Sequence, residues 1–341
     1  MKPVWLIPAL LALSANGWAQ AGALYNADVS EMTSITDPAK ALPSAEGHWL
    51  AFSIPALADT RSPCCWKGKW NGMGESGCSL EGTHQSYGTR SDSPVTENIV
   101  VFTRIENGNA GKLRVVGESC PVDGNGGQVT WIGGVDDTAA LDWLENVARA
   151  NGDSGADAAL MAIALHRNPE AGRRLHTLAG ESGGDHAQEA VFWLGESRGE
   201  QGFDILKALL AELPKGDTRR EINFALAQNQ APGAADLLFE IARSDPDPEQ
   251  RGQAMFWLAQ EYPQKAQGWL LDVIRSERDN KVLEEAVFAI SQLPGDDGDK
   301  VLLDLARDPG APRAVRRQAI FWLAQSDNDA SIAALTDLLS Q

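Results

Sequence analysis

An aromatic residue returns at a nearly fixed interval through the C-terminal half of the chain: Phe192, Phe224, Phe256, Phe288 and Phe321 follow one another at 32, 32, 32 and 33 residues. Self-similarity at such a period means stacked supersecondary units, each too small to bury its apolar face alone. Around each Phe the sequence keeps a helical apolar stripe, as in Arg251-Gly-Gln-Ala-Met-Phe-Trp-Leu-Ala-Gln260. A first helix per unit is therefore expected over 189–194, 221–226, 253–258, 285–290 and 318–323. A second helix, after a short polar break, is expected over 203–211, 234–243, 266–275, 300–307 and 331–339. A weaker earlier unit fits 158–165 and 172–178.

The residue after each Phe alternates in size: Trp193, Ala225, Trp257, Ala289, Trp322. Large beside small fills the space between stacked helices without overpacking, so these tryptophans are expected as core rather than as a ligand box. In the second helices Leu238, Leu270, Leu302 and Leu335 share one inward position, and Ile241, Val273, Leu305 and Leu338 the next. Between them stand Glu240, Asp272 and Asp304, each followed three residues later by Arg243, Arg275 and Arg307. This spacing predicts three exposed ion pairs worth ~0.2–0.5 kcal/mol each. The same six residues form the candidate binding ladder, on the concave side of the superhelix where solenoids take partners. A further row, Glu196, Gln228, Gln260, Gln292 and Gln325, ends the first helices and is placed to satisfy free helix-end carbonyls.

The N-terminal half reads differently. Lys2, the apolar run Val4–Leu13 and the small-residue end Trp18-Ala-Gln-Ala21 predict a cleaved signal peptide over 1–21, hence a periplasmic or secreted protein without membrane insertion. The net charge of −18 repels phosphate backbones and anionic lipid, which argues against nucleic acid and leaves proteins, cations and neutral ligands. Residues 22–135 form a small β-rich module: an extended lead-in over 22–42, a half-buried strand with Leu50, Phe52 and Ile54 on one side, and strands over 98–105, 112–118 and 128–132. The first two of those three meet at a hairpin turn, Glu106-Asn-Gly-Asn-Ala-Gly111. From Asp136 the pattern is helical, with Leu141, Leu144 and Val147 on one face and an Asp or Thr as cap.

Four cysteines, Cys64, Cys65, Cys78 and Cys120, fall in the Gly-rich part of this module. An exported context makes them disulfide staples, Cys64 with Cys78 and Cys65 with Cys120 or the crossed alternative, since a vicinal bridge would strain the peptide between its partners. No Cys-x-x-Cys occurs for redox or zinc chemistry, and no hydrolase, zincin, Walker or dinucleotide motif is present, so no catalytic residue, metal or cofactor is assigned. An enzyme site in this module would have to be built around His48, Asp59 and His84.

Two stretches carry a family resemblance: Asp308-Pro-Gly-Ala-Pro-Arg-Ala-Val-Arg-Arg-Gln-Ala-Ile-Phe-Trp-Leu-Ala324 and Asp245-Pro-Asp-Pro-Glu-Gln-Arg-Gly-Gln-Ala-Met-Phe-Trp-Leu-Ala259. In both, an Asp-Pro turn leads through an Arg to the apolar stripe, which resembles HEAT-like repeats in the compact bacterial form also found in phycobilin-lyase proteins. The resemblance spans about 155–341. The expected architecture is mainly α: a two-helix HEAT-like solenoid over 136–341, with about five clear repeats and a weaker first one, preceded by a disulfide-stapled β-rich domain. The resemblance implies a scaffold that binds protein. Together with the expected signal peptide and the absence of a catalytic motif, the leading reading is a non-enzymatic exported scaffold, with envelope sensing or assembly as its context. Lyase activity is not carried over, because the repeats contain no Cys. The alternatives are an enzyme in the N-terminal module, or a structural protein that forms homo-oligomers through its last repeat.

Overall fold

The lead-in over 22–42 is extended, as expected, in its first part: a ten-residue strand, β1 (Ala23–Met32), fills nearly half of it. It pairs in parallel with a later strand but slips register between Tyr25 and Ala27, where Asn26 takes a positive φ of 52°. The slip interrupts the alternation by which a strand is recognised from sequence. The computed structural model describes residues 23–41, 47–63, 78–82, 93–150, 154–181, 185–326 and 328–339. The expected signal peptide, Cys64, Cys65 and His84 lie outside them.

Beyond β1 come a single helical turn α1 (Pro38–Ala41), β2 (Trp49–Pro55), the short β3 (Cys78–Ser79), β4 (Asn98–Glu106), β5 (Asn109–Gly117) and β6 (Pro121–Ile132). They form one mixed sheet in the order β1-β6-β2-β4-β5, with β3 paired to β6 off that path. The β1–β6 and β2–β6 pairs are parallel, and β2–β4 and β4–β5 antiparallel. Asn107 and Gly108, both at positive φ, make the tight β4–β5 turn that Asn-Gly favours. Strand β2 is not half-buried as expected. Leu50, Phe52 and Ile54 share one face, but Trp49 and Ala51 are equally buried on the other, against Val100, Phe102 and Trp131.

The chain divides into two compact units, Met1–Asn168 and Pro169–Gln341. Helices α2 (Asp137–Ala150) and α3 (Ser154–Leu165), expected to open the solenoid, thus belong with the sheet. Trp143 of α2 packs edge-on against Phe52 at 5.5 Å. Asp136 caps α2, its carboxylate accepting from the N–H groups of Thr138 and Ala139, and Leu141, Leu144 and Val147 are buried as their spacing predicts.

Among its described residues the second unit has helices joined by short turns and no strand. In chain order it runs α4 (Glu170–Gly180), α5 (Asp185–Ser197), α6 (Gly199–Glu212), α7 (Asp217–Gln228), α8 (Ala234–Ser244), α9 (Pro248–Glu261), α10 (Pro263–Ser276), α11 (Asn280–Ser291), α12 (Asp297–Arg307), α13 (Arg313–Leu323) and α14 (Asp329–Leu339). Helices α5, α7, α9, α11 and α13, which carry the Phe motif, pack successively into one layer (the A layer). The even-numbered helices form a second layer (the B layer), in which α6, α8, α10 and α12 stand further apart. Leu238, Leu270, Leu302 and Leu335 are buried between the layers. In α10 the next buried residue is Ile274 rather than Val273, a rotation of one position from the repeat pattern.

The motif that carries the family resemblance has a visible job here. Arg251 donates to the carbonyl of Asp245 at 2.8 Å, and Arg316 donates to that of Ala311 at 2.6 Å. Each arginine thus holds the turn between one repeat and the next, where backbone acceptors would otherwise lack partners.

Candidate functional site

The A helices place their Phe residues one turn from a polar ridge, exposed at Glu196, Gln260 and Gln325 and half-buried at Gln228 and Gln292. On α9, Leu258, Ala254 and Met255 point into the core, Phe256 and Trp257 lie half-buried on either flank, and Gln260 stands exposed. The flanking rings meet those of neighbouring helices. Phe192 stacks on Phe224 at 5.9 Å and Phe256 on Phe288 at 5.7 Å, with ring planes 15° and 8° apart. Trp257 leans on Phe224 at 4.6 Å, and Trp322 on Phe288 at 4.9 Å. Within a helix, Phe256–Trp257 and Phe321–Trp322 meet edge to face at 4.9 and 5.0 Å. An unbroken chain of aromatic contacts therefore runs from α5 to α13 and floors the furrows between A helices.

This corrects the expectation that the motif is simply core. Trp193 is buried, but Trp257 and Trp322 are half-buried and Phe321 is 49% exposed. The size alternation acts differently from a large residue opposite a small one. Ala225 lets α7 approach the backbone of α5 at Gly195, where a methyl group would fall 2.6 Å from the Ala225 Cα. Trp257 and Trp322 instead fill the seam toward the preceding A helix. The result is a period of two repeats: closed furrows at α5/α7 and α9/α11, and Phe–Trp furrows at α7/α9 and α11/α13.

Carboxylates flank these rings. Glu221 precedes Phe224 by one turn, Glu285 precedes Phe288, and Glu196 follows Phe192. Burial pushes the carboxyl of each above its ordinary range; for Glu285 the nearby Lys281 opposes the shift without reversing it. Three basic side chains at the same end of the helices are already engaged. Arg220 pairs with Asp217 and Glu249, Lys281 with Glu249 at 2.8 Å, and Arg317 with Glu284 at 3.4 Å. In the amide row, Gln260 donates to the carbonyl of Gln292 at 3.0 Å, as expected, whereas Gln228 reaches the Glu261 carboxylate at 3.2 Å.

The ladder predicted on the B helices is only partly assembled. Asp272 and Arg275 pair at 3.0 Å with both side chains exposed, while Glu240, Arg243, Asp304 and Arg307 form no ion pair among the described residues. The gaps between B helices bring some of them together. Glu240 and Arg243 line a depression of about 670 Å³ with Phe239 and Trp269, and Arg275 and Asp304 line one of about 450 Å³ with Leu271 and Ile274. In the first unit His48 and Asp59 are separated by the whole of β2, ~23 Å at strand rise, and do not converge on a site. Among the described residues no three His, Cys, Asp or Glu side chains group to hold a metal ion. No described helix is long and apolar enough to cross a membrane.

No family model and no curated protein matches the chain. Among solved structures, Kap121p aligns with 55% of this chain and 25% of its own, at 14% identity and a TM-score of 0.34. The complex of CpcE and CpcF of phycocyanin lyase from Nostoc sp. PCC7120 aligns with 60% of this chain and 83% of that one, at 16% identity and a TM-score of 0.29. The chain thus spans about a quarter of the length of Kap121p.

Proposed function

We propose that this protein is an exported, non-enzymatic scaffold whose second unit holds another protein along the outer face of its A helices. The observation that carries the reading is the unbroken, half-buried aromatic chain from Phe192 to Phe321, which ends on the exposed Phe321 ring. Aromatic side chains in shallow furrows, rimmed by amides and carboxylates, have the composition of a protein-recognition surface. Lys2 and the apolar run that follows support export, and envelope sensing or assembly is the setting we assign. The net charge of −18 supports a protein rather than a nucleic-acid partner.

The test is capture from the native envelope by the tagged full chain, with two surface variants beside it. Gln228→Arg/Gln260→Arg alters the ridge over the furrows, and Arg243→Glu alters a B helix. The reading expects a partner held by the wild type and by Arg243→Glu but lost from the ridge variant. Capture that ignores the ridge, or that yields nothing above background, overturns it. Self-association is a second reading, favoured by the exposure of Phe321 (49%) and Ile332 (41%) on the last two helices. Light scattering that reports a monomer removes it.

A further inference from the structure

The two Phe–Trp furrows are near copies. The first holds Glu221, Phe224, Gln228 and Trp257; the second holds Glu285, Phe288, Gln292 and Trp322. Ring separations of 4.6 and 4.9 Å and interplanar angles of 40° and 38° show that the geometry repeats as well as the sequence. In each, a half-buried carboxylate stands one turn from a half-buried ring. Glu221 and Glu285 form no salt bridge among the described residues, while Arg220, Lys281 and Arg317 are held by Asp217, Glu249 and Glu284. The second furrow also opens onto a depression of about 770 Å³ lined by Gln292, Asp296, Asp299, Trp322 and Asp329. Aromatic faces attract cations, and a partly desolvated carboxylate gains most from a charged partner that arrives with its own hydrogen-bond donors.

We infer that the two furrows each take one Lys or Arg side chain of a single extended polypeptide segment. This inference rests on the scaffold reading of the second unit. The furrows lie two repeats apart, ~16–20 Å at ordinary interhelical spacing. An extended chain rises ~3.3 Å per residue and returns to the same face every second residue, so the matching basic positions are i and i+6. Two linked contacts bind far more tightly than either alone, so spacing becomes the specificity signal.

The experiment is fluorescence anisotropy of the full chain with labelled peptides of ~13 residues in a Gly/Ser/Ala background. One carries Arg at i and i+6, one at i and i+3, one a single Arg, and one Glu at i and i+6. The i, i+6 Arg peptide is expected to bind at least ~10-fold more tightly than the other three. Glu221→Gln and Glu285→Gln, each checked for an unchanged helical circular dichroism spectrum, are expected to reduce it to the level of the single-Arg peptide. Equal binding of the Glu peptide, indifference to spacing, full affinity in the double Gln variant, or no binding by any peptide overturns the inference. The scaffold reading fails separately: capture that depends on the ridge but ignores Glu221→Gln/Glu285→Gln leaves the scaffold standing and removes the basic segment.

Discussion

The Trp257 ring lies 4.6 Å from that of Phe224 on the preceding A helix, while its own indole N–H has no hydrogen-bond partner among the described residues. Trp193 and Trp322, at equivalent positions, share that orphaned N–H. What Trp257 contributes is therefore area and shape. Trp257→Ala should cost ~2–4 kcal/mol, toward or below the low end of the range for fully buried aromatics because the side chain is half-buried. Trp257→Phe deletes no hydrogen bond and should cost less than ~1.5 kcal/mol. Urea unfolding of the two variants checks this, and equal losses would mean that the N–H matters after all.

Gly195 and Gly268 make a matched pair of opposite sign. A methyl group on Gly195 would meet the Ala225 backbone, so Gly195→Ala must push α5 from α7 and should destabilise by ~1–3 kcal/mol. Gly268 lies within α10 with nothing within 4 Å of an added methyl. Gly268→Ala should stabilise by ~0.5–1 kcal/mol through helix propensity. Thermal melts of both suffice, and a stabilised Gly195→Ala would contradict the close approach.

How legible this was in the sequence depended on the kind of signal. The Phe spacing located all ten repeat helices, because a helix that must bury one stripe repeats its apolar positions at 3.6 residues. Strand β1 was hidden because Asn26 breaks its period of two, and the second buried face of β2 because neither covering layer is local in sequence. The alternation of Trp and Ala was visible, but its meaning was not. Whether Trp257 faces Ala225 or Phe224 depends on how far each helix is turned about its axis, a rotation of tens of degrees that periodicity does not resolve. Exposure of the Phe row was missed for the same reason. The clue lay three residues earlier, in Glu189, Glu221 and Glu285, charged residues sharing a flank with the rings.

Arg219 and Asp245 form a nearly buried ion pair at 2.7 Å, their side chains 11% and 5% exposed. Arg219 also donates to the Leu210 carbonyl, and Asp245 accepts from the Asp247 N–H ahead of α9. Arg219→Ala would leave a buried carboxylate without its ion-pair partner and should cost ~3–5 kcal/mol, whereas removing both partners together should cost less than the sum of the single losses. A double-mutant cycle by urea unfolding measures this, and strict additivity would refute the coupling.

Burial raises the carboxyls of Glu221 and Glu285. A raised value means that the folded chain holds protons which the unfolded chain has released. The stabilisation is thus complete below the ordinary Glu value and is lost as pH rises through the elevated one. Replacing Glu221 and Glu285 by Gln removes that loss. The urea midpoint of the double variant should exceed that of the wild type by more at pH 7 than at pH 4, while its affinity for a basic segment falls. A gap that widens toward low pH would have the wrong sign.

Cys78 and Cys120 sit in the sheet core, 4% and 1% exposed, and neither is a free thiol. Pairing with Cys64 and Cys65 is the arrangement we propose. A Gly-rich segment with few apolar residues gains stability chiefly by losing unfolded-state entropy, the term a crosslink supplies. The denatured, unreduced protein should show no thiol reactive toward Ellman's reagent, and the reduced protein four. Reduction should destabilise the first unit by ~2–5 kcal/mol while the second, which contains no cysteine, melts as before. Two calorimetric transitions recorded with and without reductant separate these effects. A second transition that also shifts, or a first that does not, would show that the cysteines are not the staples of that sheet.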